Sequence, residues 1–170
     1  MIGKFRLSDL LSDVCICLSI PGLEIDAFAV LKTFGRDAED ELFRVYLRTS
    51  GNLSTSKAIL RLLGKTGSKE SVAFLFSLLG STSRQLKEVA LKCLIDCGFK
   101  PSEEDKVFLH QLTAEVIGII TWTLSVKICL KRNNDNLLLE EMNKEIARWK
   151  IFLFNVLSIT YNSDIITKIR

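Results

Sequence analysis

The chain has 170 residues, 48% hydrophobic and 25% charged, with a formal net charge of +3. That is the size of one ordinary domain with room for a real core, and the charge is too small to argue for nucleic acid by itself. A mean hydropathy of +0.24 raises the question of a membrane. The most apolar run, Val116 to Leu130, is fifteen residues long and includes Lys127, whereas a bilayer-spanning helix needs roughly 20 apolar residues. Val14 to Ile20 is shorter still, follows Asp9 and Asp13, and is stopped by Pro21-Gly22, so it does not read as a cleavable signal. No transmembrane span is expected within the chain.

Helical periodicity dominates from the start. Leu7, Leu10, Leu11, Val14, Cys15 and Leu18 paint one apolar stripe on a first helix, which Pro21-Gly22 ends. Ala27, Phe28, Val30 and Leu31 give a short second helix closing at Gly35. Asp37 to Arg48 gives a third, with acids first and Arg44 and Arg48 towards its end, as the helix dipole favours. Ser50-Gly51-Asn52 is a turn, and a short helix runs from about Ser56 to Gly64. Ser68 is the N-cap of the next, which carries Val72, Ala73, Leu75, Phe76 and Leu79 and stops at Gly80. From Ser83, the positions Leu86, Val89, Ala90, Cys93, Leu94 and Cys97 repeat the 3-1-3-1-3 spacing up to Gly98.

The last third changes character. One helix is expected from about Glu103 to Leu130, then a polar turn over Lys131 to Asn136, then a second from near Leu137 to about Thr160. Leu139, Met142, Ile146, Trp149, Leu153 and Val156 alternate steps of three and four, a coiled-coil-like seam. Two such helices joined by a short turn pack as an antiparallel hairpin. Asp164 opens another helix that Arg170 leaves barely begun, as expected of a piece of a longer protein.

Gly64-Lys65-Thr66 matches the end of a phosphate-binding loop. Such a loop needs an earlier glycine five residues before and a strand leading in. The earlier position is Ile59 and the lead-in is helical, so the nucleotide reading fails. A repeat accounts for more: Leu60, Leu63 and Gly67 recur 31 residues later as Leu91, Leu94 and Gly98, each followed by a capping serine, Ser68 or Ser102. Paired helices with a period near 30 are the signature of an α-solenoid.

The stretch Ala58-Ile59-Leu60-Arg61-Leu62-Leu63-Gly64-Lys65-Thr66-Gly67-Ser68-Lys69-Glu70-Ser71-Val72 resembles the junction between HEAT repeats of the short bacterial type, and the likeness extends over about residues 53–100. Ser68 stands where such repeats often have aspartate, and Leu86-Lys87 replaces their usual Val-Arg. The hairpin, Glu115 to Leu130 and Leu137 to Tyr161, is similar to HEAT-like soluble regions of bacterial membrane proteins of the ADP/ATP carrier or major-facilitator kind. The resemblance implies a cytosolic appendage of a nucleotide transporter, tethered at the inner membrane, with the transport site in helices outside this chain. It carries over no functional residue.

The expected fold is therefore all-α: an α-solenoid of HEAT-like helix pairs ending in a long antiparallel hairpin. It forms one domain over residues 1–170: divergent helices over 1–52, the clearest repeats over 53–100, the hairpin over 101–161, and the start of a helix over 162–170. The expected function is a non-catalytic scaffold or regulatory module that binds a protein partner or adjacent domains, in the cytoplasm. Two alternatives are a helical-repeat DNA glycosylase, which needs a basic concave face with a positioned aspartate and aromatics, and a bilin-lyase-like HEAT protein.

Candidate sites reduce mostly to packing. Cys93 and Cys97, four apart, suit two zinc ligands, yet they continue an apolar stripe and no second Cys/His pair follows. Cys15 and Cys17 point to different helical faces. Five cysteines in helical, apolar settings fit a reduced compartment. His110, the one histidine, has no nucleophile or orienting carboxylate placed beside it by sequence. Glu103, Glu104 and Asp105 occupy a first helical turn, and Glu140, Glu141 and Glu145 lack the histidine a carboxylate metal site needs. Trp122 and Trp149 are expected to pack the hairpin. No catalytic, cofactor or metal residues are assigned. The one surface feature is Lys57, Arg61 and Lys92: Arg61 and Lys92 are equivalent under the 31-residue offset, with Lys57 one turn away, forming a candidate basic interaction face.

Overall fold

The structure, a computed structural model, describes residues 3–18, 20, 22–34, 36–48, 52–130 and 136–161. Among them are eight α-helices and no strand: α1 Gly3–Cys17, α2 Glu24–Phe34, α3 Arg36–Arg48, α4 Leu53–Thr66, α5 Lys69–Ser77, α6 Arg84–Asp96, α7 Glu103–Leu130 and α8 Asn136–Thr160. The chain is all-α, and it divides into two compact units, Met1–Gly98 and Phe99–Arg170. The expected turns at 50–51 and 131–135, the stops at Pro21 and Gly35, and the helix from Asp164 lie outside the described residues.

In the first unit, α1 packs on α2 and α3, α3 on α4, and α4 on both α5 and α6. The core is a run of leucines: Leu60, Leu63, Leu75, Leu79, Leu91 and Leu94 are all fully buried. Leu60 and Leu63 on α4 and their partners Leu91 and Leu94 on α6 carry the 31-residue repeat, and α4 and α6 lie against each other. The repeat extends to the backbone. Gly67 and Gly98 both adopt the left-handed conformation, with φ of 60° and 70°. A side chain at such a position costs roughly 1–2 kcal/mol, which accounts for glycine at both. The Gly67 N–H closes α4 on the Leu63 carbonyl at 3.3 Å.

That geometry corrects the expected bounds of α4. The helix begins three residues before Ser56, because the Asn52 side chain accepts from the Ser54 and Thr55 N–H groups at 3.1 and 3.2 Å. It passes through Gly64 and ends at Thr66. Gly64 is buried inside the helix and supplies close approach in place of a stop: a Cβ there would lie 2.6 Å from Cys93 Cβ and 3.3 Å from Cys93 Cα on α6. Ser68 does cap α5, its Oγ accepting from the Ser71 N–H at 2.9 Å. After α5, a single 3₁₀ turn, Leu78–Gly80, carries the chain on. Phe74 on α5 meets Phe43 and Tyr46 on α3 edge-on, both at 5.1 Å between ring centroids, a geometry that adds to the area buried.

The second unit is the antiparallel hairpin of α7 and α8. Lys127 donates to Asn143 near one end, and the His110 ring meets Tyr161 edge-on at 5.9 Å near the other. A reciprocal capping box starts α7: Ser102 Oγ accepts from the Asp105 N–H at 3.1 Å, and Asp105 Oδ2 accepts from the Ser102 N–H at 2.9 Å. Glu103 pairs with Lys106 at 2.6 Å. The seam on α7 is Leu109, Leu112, Val116, Ile120 and Thr123; on α8 it runs through Ile146, Phe152, Val156 and Ile159.

Two expectations fail here. Trp122 is 68% exposed, because the buried stripe passes through Thr123, about 100° round the helix from it. Phe152, not Leu153, is the fully buried side chain, while Trp149 does pack, edge-on to Phe152 at 5.8 Å. By length and composition α7 is also apolar enough to cross a membrane, with a mean hydropathy of 1.5 over an 18-residue window. The fifteen-residue run seen in the sequence is only part of this 28-residue helix.

Replacing Gly64 tests the α4–α6 contact. Overpacking of this kind costs about 1–3 kcal/mol, more than the roughly 1 kcal/mol that alanine returns inside a helix. Gly64→Ala is therefore expected to lower the urea midpoint in wild type. Measured in a Cys93→Gly background, the same change becomes neutral or stabilising. An equal penalty in both backgrounds would rule out the contact as its cause.

Candidate functional site

A groove of about 880 Å³ opens within the first unit, walled by α4 and α6 and flanked by Leu18 and by Phe28 of α2. Its long walls carry equivalent positions of the 31-residue repeat. Under that offset Ala58 corresponds to Val89, Arg61 to Lys92, and Lys65 to Asp96, and all six line the groove. Along each helix the lining positions recur every three or four residues because one face of each points into the same space. Gly64 lets the two walls approach at Cys93, which lines the same groove.

Two of the three cations expected from the sequence line this groove: Arg61 and Lys92, both exposed. Lys57 does not join them. Its ammonium donates to Gln85 Oε1 on α6, tying the two helices outside the groove. Lys65 takes its place, with Nζ 4.1 Å from the centroid of the Phe28 ring, a cation–π contact. Lys65 reads as a turn residue when α4 is stopped at Gly64. With the helix running to Thr66, it sits one turn after Arg61 on the same face. The signal was present in the repeat itself, which pairs Gly67, not Gly64, with Gly98.

Carboxylates are interspersed. Glu88 and Asp96 line the groove on either side of Lys92, each one helical turn away. Glu88 also pairs with Arg84 Nε on its own helix at 3.2 Å. Three cations and two carboxylates leave one net positive charge on the lining. Burial pushes the Cys93 thiol up to about 11, with Asp96 adding to the effect and Arg61 opposing it. Cys97 is half-buried and its Sγ donates to the Leu94 carbonyl at 3.3 Å. Among the described residues no three or more His, Cys, Asp and Glu side chains gather in a way that could hold a metal ion.

Beside this groove, in the same unit, lies a buried polar corner that the sequence pattern did not expose. Glu39 of α3 is only 5% exposed, and its Oε1 accepts from the hydroxyls of Ser68 and Ser71 at the start of α5. Ser71 Oγ also lies 3.2 Å from Thr66 Oγ1. A carboxylate at a helix N-terminus, satisfied by hydroxyls, locks the turn after Gly67 to α3. The available signal was an acid at position 39, three residues before the core Leu42 and seven before the core Tyr46.

Compared with family models, with curated proteins and with solved structures, the chain matches none. The site is thus read from its own geometry: a half-open, mixed-charge groove with an apolar floor, formed by the helices that carry the repeat.

The thiols report on this packing. Cys15, pushed up to about 12 by burial and then by Glu41, and Cys93, at about 11, are both raised from 9.0. At pH 8 about one Cys93 in a thousand is thiolate, so alkylation of the native chain is expected at exposed Cys129 while Cys15 and Cys93 stay unmodified until denaturant is added. Both groups stay neutral when folded and ionise more readily when unfolded. Their stabilising contribution is therefore whole below about pH 9 and is lost as pH rises towards 11. Rapid labelling of Cys93 at pH 8 in the folded chain would contradict the packing of Cys93 on Gly64.

Proposed function

We propose that this chain is a non-catalytic helical-repeat module that binds another polypeptide, and that it belongs to the cytosolic, HEAT-like part of a bacterial ADP/ATP carrier-like membrane protein. The observation that carries the first half is the repeat itself. Leu60, Leu63 and Gly67 match Leu91, Leu94 and Gly98 in burial and in backbone conformation, and the helices that bear them form the groove walls. Stacked helical repeats expose such side-by-side faces as extended binding surfaces. The groove offers apolar floor, paired cations and carboxylates, which suits recognition better than reaction.

The second half rests on the likeness of residues 53–170 to the soluble regions of such transporters. The protein partner, or the adjacent domains of the same polypeptide, would then meet this module on the cytoplasmic side. The DNA-glycosylase alternative finds one supporting feature, since Asp96 and Phe28 share the groove with Arg61, Lys65 and Lys92. The single net charge weighs against it, because tracking a phosphate backbone requires several uncompensated cations.

The complete reading frame that encodes this segment tests the transporter half. It is expected to contain several apolar spans of roughly 20 residues each, and the purified full-length protein in vesicles is expected to exchange ADP for ATP. A frame without such spans would contradict that half and leave the groove untouched.

A further inference from the structure

We propose that α7 pairs antiparallel with α7 of a second copy of this chain, across the face that its own hairpin leaves exposed. This goes beyond the interaction reading and does not depend on the groove. From Ile117 to Cys129, α7 exposes Ile117, Trp122, Leu124 and Ile128 and no charged side chain. Glu115, at the border of this face, is already engaged. The hydroxyls on the face are satisfied within the helix: Thr121 Oγ1 donates to the Ile117 carbonyl at 2.8 Å and Ser125 Oγ to the Thr121 carbonyl at 3.0 Å. Gly118 shows what kind of surface lies against it. A glycine inside a helix is destabilising relative to alanine, and at Gly64 its place is explained by the close approach of α6. At Gly118 a Cβ would meet nothing within 4 Å, so no packing within the chain explains the glycine. A second helix lying on this face does, because a missing Cβ lets two backbones approach closely.

The partner helix has to be as long, as apolar and as free of charge as this face. Among the described residues no helix of the first unit exposes more than two large hydrophobic side chains. The outer face of α8 carries the Glu141–Lys144 and Glu145–Arg148 pairs, at 2.7 and 3.5 Å. The face that matches is α7 itself. A lipid surface suits it less, because helices that lie on membranes carry Lys and Arg beside their apolar side, whereas α7 opens with Glu103, Glu104 and Asp105. Its four large side chains expose on the order of 500 Å², at the upper end for the largest patch on a monomer. Two copies bury about twice that, which reaches the roughly 1,000 Å² expected of a specific interface. A two-fold axis between Thr121 and Trp122 sets Gly118 against Ser125 of the second copy and Ala114 against its Cys129. Ile117, Leu124 and Ile128 fall on one flank of the face and interleave with the same three residues of the second copy. Parallel pairing would instead bring Glu103, Glu104 and Asp105 beside their own counterparts, where like charges repel.

The test uses the full chain in sedimentation velocity from about 1 µM to about 200 µM, the range expected for an interface of this modest area. Wild type is expected to pass from monomer to dimer. Gly118→Gln is expected to raise the dissociation constant about ten-fold or more, while its urea midpoint at the lowest concentration stays level or rises, because glutamine is the better helix former. Ala147→Glu, on the charged face of α8, is expected to retain the dimer. Mild oxidation is expected to join Ala114→Cys through Cys129 into a covalent dimer and to leave wild type unlinked, since its two Cys129 thiols lie far apart in an antiparallel pair. A monomer at every concentration, a dimer that Gly118→Gln does not weaken, or a wild-type Cys129–Cys129 link would each overturn the inference. A monomer that floats with phosphatidylcholine vesicles would overturn it in favour of a lipid surface.

Discussion

The approach of α4 to α6 at Gly64 and Cys93 is the constraint on which the rest of the first unit depends. With hydrogen in place of a methyl at position 64, the two helices close until their facing atoms leave no room for a Cβ. That closeness sets the register between the helices, puts Arg61 and Lys92 on one groove, and accompanies the burial of Leu60, Leu63, Leu91 and Leu94. Each fully buried leucine contributes roughly 1.5–3 kcal/mol of transfer free energy. Cooperative burial of this leucine cluster therefore outweighs any single polar contact in holding the groove walls in place.

Polar groups in this unit fix geometry more than they add stability. Glu39 holds Ser68 and Ser71, and so fixes where α5 leaves the corner after Gly67. Lys57 and Gln85 tie α4 to α6 beside the groove, and Lys65 lies over Phe28 at its mouth. Exposed pairs of this kind are worth at most about 1 kcal/mol each. Their effect is on which side chains face the groove, and hence on what it recognises. The hairpin of the second unit follows a different logic: its long helices are held by a narrow seam and leave Trp122, Ile128, Ile151 and Phe154 largely exposed.

Much of this was legible in the residues. The eight helices, the N-cap at Ser68, the hairpin and the 31-residue offset all follow from periodicity and punctuation, because each is a local property of the chain. What escaped depends on neighbours distant in sequence. A glycine in a helical pattern reads as a stop, and only the presence of Cys93 on another helix turns Gly64 into a contact point. That single shift moved the end of α4 by two residues and brought Lys65 onto the groove face. Similarly, α7 is apolar on nearly every side, so its sequence does not fix which stripe faces α8; Thr123 took the place expected of Trp122. Glu39 was missed because acids near a helix start ordinarily face solvent, and its burial depends on the serines of α5.

The most direct measurement of the central claim is the distance between Gly64 and Cys93 in solution. In a chain labelled selectively at glycine and cysteine, the account predicts a strong nuclear Overhauser contact between the Gly64 α-protons and the Cys93 β-protons. A folded chain in which the Cys93 β-protons contact another helix, with no cross-peak to Gly64, would contradict it.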